Sequence, residues 1–147
     1  MATTTFLSNA TINITQGATT YDLSDQANQC TLTIGVDSLE ATAFGDTGHK
    51  FVAGLQSVDV SITFFLSYGG TGATSEVETA LAAMVGQGST TLVISPSGTT
   101  ESASNPEYTI TNCMLATFTP INSTVSELAT VQCNFVGGTW ARDITAP

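Results

Sequence analysis

The chain has 147 residues, 41% of them hydrophobic and 7% aromatic, enough to fill the core of one domain without a disulfide or metal staple. Only 10% are charged, against a usual ~25%, and the twelve acids and two bases, Lys50 and Arg142, leave a net charge of -10. Gripping a nucleic-acid backbone takes several Lys or Arg to displace counterions, so that class of function is excluded. The acidic balance stays open to two uses, colloidal solubility and a surface that repels polyanions.

From the N-terminus, Met1 to Thr15 shows neither the basic start nor the apolar run of a signal peptide, and nothing later approaches the ~20 apolar residues of a membrane helix. Synthesis in the cytoplasm is expected. Residues 1–20 read as a polar N-terminal arm with one weak strand near Ala10 to Ile14. Strict alternation follows at Cys30 to Val36, where Leu32, Ile34 and Val36 oppose Thr31, Thr33 and Gly35. It is strongest at 58–66, where Val58, Val60, Ile62, Phe64 and Leu66 alternate with Asp59, Ser61, Thr63 and Phe65. Between these two strands, Asp37 to Gln56 carries Leu39, Phe44, Phe51, Val52 and Leu55 without a sustained period. A loop that apolar needs a cover, supplied either by its own domain or by a neighbouring subunit.

Val77, Ala80, Leu81, Met84 and Val85 recur at helical spacing, which predicts one amphipathic helix over about 75–86. Ser75 with Glu78 forms a capping-box signature, and Gly86 suits the left-handed position beyond the C-terminus. Leu81 and Met84 therefore read as core packing. Further strands are expected at Thr91 to Ser95, Tyr108 to Phe118 and Val125 to Val136, with a long hairpin tip from Ser95 through Pro96 to Pro106 and a C-terminal arm over about 138–147. Cys30, Cys113 and Cys133 are an odd set without C-x-x-C spacing, each in a β-like stretch, and read as small buried apolar residues.

The inventory for chemistry is thin. His49, the one histidine, sits in the turn-like Gly45-Asp46-Thr47-Gly48-His49-Lys50 with no second histidine to share a metal. Gly69-Gly70-Thr71-Gly72 lacks the Gly-Lys-Ser/Thr of a phosphate loop, and there is no G-x-S-x-G elbow, H-E-x-x-H helix or D-x-D-x-D-G calcium loop. No catalytic residue, metal or cofactor is assigned.

The order of features carries more than any one of them. A strand ends at Asp37, Thr42-Ala43-Phe44-Gly45-Asp46 follows, then Phe51-Val52-Ala53-Gly54-Leu55, a long alternating strand, a lone helix, two strands and a Gly137-Gly138 break. The T-x-F-G-D element leading through "GL" into a Ser-, Thr- and Phe-rich strand resembles the major tail tube proteins of long-tailed bacteriophages. The resemblance implies a mainly β fold, a β-sandwich or rolled β-barrel with one flanking α-helix and a long assembly loop over about 37–56. It implies a non-enzymatic virion protein, made in the host cytoplasm, forming hexameric rings that stack into a tube and meet other tail proteins at its ends. DNA would pass through without specific binding. The subunit-interface candidates are Leu39, Phe44, Asp46, Lys50, Phe51 and Leu55, with Lys50 placed to meet an acid of the next subunit; Asp59, Ser61 and Thr63 are the candidates for the lumen. Two alternatives stand beside this: another virion component, such as a tail terminator, head-tail joining or capsid decoration protein, and a secreted β-sandwich glycan-binding module, for which Tyr68, Tyr108 and Trp140 are the scattered aromatics.

Overall fold

In a computed structural model, which describes residues 9–68 and 77–146, the chain is an antiparallel sheet of eight strands with one α-helix. The strands are β1 (Thr11–Gln16), β2 (Thr19–Asp22), β3 (Ala27–Glu40), β4 (Phe51–Phe65), β5 (Thr90–Ser95), β6 (Glu107–Thr117), β7 (Thr130–Val136) and β8 (Thr139–Asp143), and α1 (Val77–Met84) lies between β4 and β5. The sheet order is β2-β1-β5-β6-β7-β4-β3, with β8 also paired to β6.

Strand β6 joins the two wings. Its first half, from Glu107, pairs with β8 and β5, whereas Met114 to Thr117 pairs with β7. The change of partner coincides with a left-handed residue, Asn112 at φ 61°, facing the Gly137–Gly138 break between β7 and β8. The two wings roll around one core, in which Val58, Val60, Ile62 and Phe64 of β4 meet Ile12 and Ile14 of β1, Leu92 of β5, Ile110 of β6 and Phe135 of β7. Alternation thus places the odd-numbered Asp59, Ser61 and Thr63 on the face turned away from the core.

Helix α1 closes the roll with Val77, Ala80, Leu81 and Met84, all buried. The expected Ser75 cap lies outside the described residues. A different serine serves the helix start: Ser67, just past β4, accepts the Val77 N–H through its hydroxyl at 3.1 Å and the Glu78 N–H through its carbonyl at 3.2 Å. Gly86 takes the left-handed conformation expected beyond the helix end, at φ 77°.

Four sequence expectations change. The stretches read as terminal arms hold strands: β1 and β2 form a hairpin through a two-residue turn with Gly17 at φ 62°, and β8 pairs with β6. Residues 125–129, read as part of a strand, belong to the loop before β7. The helix occupies Val77–Met84 within the broader span predicted for it. The segment 37–56 is not a loop throughout: β3 runs to Glu40 and β4 starts at Phe51, leaving only 41–50 as the connection. Strand alternation is hidden there by a bulge, because the register passes from Val36↔Gln56 to Ser38↔Ala53 and sets Gly54 and Leu55 against Asp37 alone. Before the bulge, even residues of β4 share a face with even residues of β3; after it, odd ones do. A Cβ on Gly54 would lie 3.0 Å from the Asp37 Cβ, so the close approach favours glycine.

Candidate assembly surfaces

Strand β7 pairs with β4 only as far as Asp59. Beyond that point β3 and β4 continue as a two-stranded hairpin that projects roughly 20–25 Å, at about 3.3 Å per residue. This arm is where the candidate interface residues lie. Leu39 sits directly opposite Val52, and Glu40 opposite Phe51, so the two faces of the arm each carry apolar surface. Leu39, Phe51, Val52 and Leu55 are exposed, Leu55 at 80% and Phe44 at the tip fully. A bare two-stranded ribbon is marginal in water, and one with this much apolar surface on both faces is built for a cover.

The tip itself is ordered by its polar residues. The Asp46 carboxylate accepts the Ala43 N–H at 2.8 Å and lies 2.6 Å from the Lys50 ammonium. The Thr42 hydroxyl accepts the Lys50 N–H, and the Ala41 N–H donates to the Lys50 carbonyl at 2.8 Å. Lys50 is therefore paired within its own tip, a correction to the expectation that it waits for an acid on the next subunit. The Lys50 ammonium, then the Ala43 N–H, holds the Asp46 carboxyl below its ordinary range. His49 is exposed, and its Nδ1 lies 2.6 Å from a Glu40 carboxylate oxygen. That contact, followed by a hydrogen bond from Thr42, lowers the Glu40 pKa. These pairs shape the turn that presents Phe44, and at this exposure contribute little else.

The lumen candidates lie on a different surface, the outer face of the β3-β4-β7 wing. Register places Thr31, Ser61 and Asn134 in one row, Gln29, Thr63 and Gln132 in the next, and Thr33, Asp59 and Val136 in a third. Gln132 donates to the Ser61 hydroxyl at 3.2 Å across the strands. The face is a field of hydroxyls and amides with one carboxylate, one valine and no cation among these nine residues.

Among the described residues, nothing brings catalytic groups together. Two adjoining recesses of about 450 and 410 Å³ lie along β3; the first is lined by Asp25 and Cys30 among otherwise amide, hydroxyl and apolar groups, and the second is mostly apolar, with Leu32, Ile34, Ile94 and Tyr108. Among the described residues, no group of three or more His, Cys, Asp or Glu could hold a metal, and no helix is long and apolar enough to cross a membrane. Burial pushes the thiols up, to about 11 for Cys30 and Cys113 and about 12 for Cys133, so each stays protonated as a small apolar side chain. Tyr108 and Trp140, scattered in sequence, are neighbours with ring centroids 6.4 Å apart, but both are partly buried against the core and offer no open platform for a sugar.

One surface was missed in the sequence. The loop 118–129 between β6 and β7 exposes Ile121, Val125 and Leu128 at 80% or more. Pro120 and Asn122-Ser123 are turn-forming residues that mark it as a loop, but the apolar Val125 and Leu128 drew it into the following strand.

No protein-family model and no curated protein matches the sequence. Solved structures do. A chain of the PVC sheath/tube terminator of an extracellular contractile injection system in its extended state aligns over 97% of this chain and 98% of its own length, with a TM-score of 0.67 at 12% identity. A chain of the PVC sheath-tube complex aligns over 93% and 89%, with a TM-score of 0.63 at 11% identity. A chain from the tail of an empty gene transfer agent particle, refined with C6 helical symmetry, aligns over 92% and 95%, with a TM-score of 0.54 at 11% identity. The likeness is one of fold. It spans nearly the whole of each chain, and it reaches contractile systems, so it does not single out the long-tailed phages that the T-x-F-G-D element evokes.

Proposed function

We propose that this chain is a structural subunit of a phage-like tail, assembling into stacked hexameric rings that form the tail tube. The observation that supports it most is the β3–β4 arm: a folded, hydrogen-bonded projection with apolar residues on both faces and no cover from its own core. A monomer gains nothing from such an arm, whereas a subunit that must grip its neighbours does. The fold shared with chains of injection-system and gene transfer agent tails agrees with this reading. The wider class it represents is the tail tube of phage-like particles, contractile or not.

In the ring, the outer face of the β3-β4-β7 wing lines the lumen, with Asp59, Ser61 and Thr63 turned to the passing genome. A Lys- or Arg-lined channel would engage each phosphate in turn and hold it; a hydroxyl and amide lining with an occasional carboxylate offers no such foothold. The arm residues Leu39, Phe44, Phe51 and Leu55 meet the neighbouring subunit or ring. The protein has no reaction to catalyse, and its place is in the virion. A tube terminator is the second reading, favoured by the fit to the sheath/tube terminator chain. Electron microscopy of the purified protein tests the proposal: hexagonal rings and tubes of even width are expected, isolated rings that never stack favour the terminator, and a monodisperse monomer at high concentration overturns both.

A further inference from the structure

The loop 118–129 has the character of a built surface. Three hydrogen bonds tie it to the body: the Tyr68 hydroxyl donates to the Pro120 carbonyl at 2.6 Å, the Asn122 amide to the Thr130 carbonyl at 3.1 Å, and the Leu66 N–H to the Ala129 carbonyl at 2.9 Å. An internal turn, Glu127 N–H to Thr124 carbonyl at 3.1 Å with Ser126 at φ 71°, fixes its shape. Ile121, Val125 and Leu128 are thus held outward on a tethered frame. A preformed apolar surface of this kind binds without the ordering cost of a loose loop.

Its position relative to the arm is decisive. Strand β4 spans the molecule, with the arm at its Phe51 end and the loop at its Phe65 end, where Thr130 pairs with Phe65. The two largely exposed apolar patches therefore stand at opposite poles of one strand. Two different patches make a heterologous, head-to-tail contact, and their placement at opposite poles of one strand lets that contact propagate along an axis. Charge agrees. Outside residues 41–50 the chain holds eleven acids and one base, so another copy's body is repelled almost everywhere, whereas the connection 41–50 holds one acid and one base, Asp46 and Lys50.

We infer that the loop 118–129 is the socket for the hairpin tip of a second copy, the next subunit along the tube axis, with Phe44 seated among Ile121, Val125 and Leu128. The inference rests on the tube reading for its biological setting, and its test separates the two. Full-length Phe44→Cys and Val125→Cys variants are mixed at assembly concentration and oxidised, with each variant alone as control for the native thiols. A disulfide-linked dimer is expected in the mixture and in neither control. In parallel, the double variant Val125→Ser, Leu128→Ser keeps its thermal midpoint and raises the concentration needed to polymerise about tenfold or more, as loss of central apolar contacts does. Polymers that form without the mixed disulfide, and at the unmodified threshold in the double variant, overturn the socket and leave the tube. The mixed disulfide without polymers supports the socket and overturns the tube; absence of both overturns both.

Discussion

Gly138 stands so close over Thr111 that a Cβ there would overlap the Thr111 carbonyl oxygen and lie 3.0 Å from the Cys113 amide nitrogen. It is also left-handed, at φ 85°. Its neighbour Gly137 has nearly the same φ, 81°, but open space around the missing Cβ. The pair separates backbone conformation from close approach at the corner where β6 changes wings. Gly137→Ala should cost about 1–2 kcal/mol, the left-handed penalty alone. Gly138→Ala should cost more, about 3 kcal/mol or beyond, because a backbone segment must also shift. Urea unfolding of both variants checks this, and equal costs would show that the corner yields freely.

Helix α1 has one packing face, so its contribution is concentrated in few residues. Leu81→Ala or Met84→Ala should each lower stability by about 2–5 kcal/mol, since both side chains are fully buried. Ala83→Ser, on the exposed side, should stay within about 0.5 kcal/mol. Thermal or urea midpoints decide it; an unchanged Leu81→Ala midpoint means the helix does not close the roll.

What was legible in the sequence follows from burial. Strand β4 announces itself over 58–64 because one face is wholly inside the core and the other is polar, so period and environment coincide. The arm was read as a loop because neither condition holds: both faces are solvated and apolar, and the Gly54–Leu55 bulge inverts the parity half-way along. The short edge strands β2 and β8 each half-bury a single side chain, Tyr21 and Trp140, so Thr19–Asp22 and Thr139–Asp143 carry no alternation to read. Val125 and Leu128 misled in the opposite sense, looking like core while held in solvent. Apolar residues that pack against nothing in their own domain carry no intrachain pattern, which is why the candidate interface was legible only as an excess of unexplained apolar residues.

The edge where β8 meets β6 carries a like-charge pair. Glu107 and Asp143 are directly opposite, and Glu101 lies within hydrogen-bonding reach of Glu107. Desolvation first, then the hydrogen bond and charge of Glu101 and the charge of Asp143, raise the Glu107 pKa above its ordinary 4.5. The folded protein thus holds this proton more tightly than the unfolded chain. The associated stability is present below the ordinary value and lost as pH rises through the elevated one. Glu107→Gln should therefore raise the thermal midpoint at neutral pH and leave it unchanged below pH 4, with the gain shrinking in high salt. Glu40 and Asp46 at the hairpin tip have the opposite sign: their lowered pKa values mean a contribution present at neutral pH and lost as pH falls through them. Midpoints measured across pH for Glu107→Gln and the unmodified protein distinguish the two regions.

The arm offers the sharpest division between folding and assembly. Glu40 and Phe51 are directly paired, so replacing residues 41–50 by Asn-Gly joins them through a two-residue turn that matches the twist of an antiparallel hairpin. The change removes Phe44 and the Asp46–Lys50 pair but leaves β3, β4 and the buried residues 58–64 intact. Because the tip touches none of the core, the midpoint should move by no more than about 0.5 kcal/mol, as for surface changes elsewhere. Polymerisation should be lost if, as proposed, the apolar tip is the part presented to another copy. Hydrogen exchange on the free subunit should separate the same two regions. Amides at 38–40 and 51–53 belong to a two-stranded ribbon open to water on both faces, and should exchange far faster than those of 58–64, which sit between β3 and β7 over the core. In the polymer the arm's protection should rise while that of 58–64 is unchanged. Tubes that form without residues 41–50, or an arm as protected in the free subunit as in the polymer, would show that the hairpin is an element of its own domain and that assembly runs through another surface.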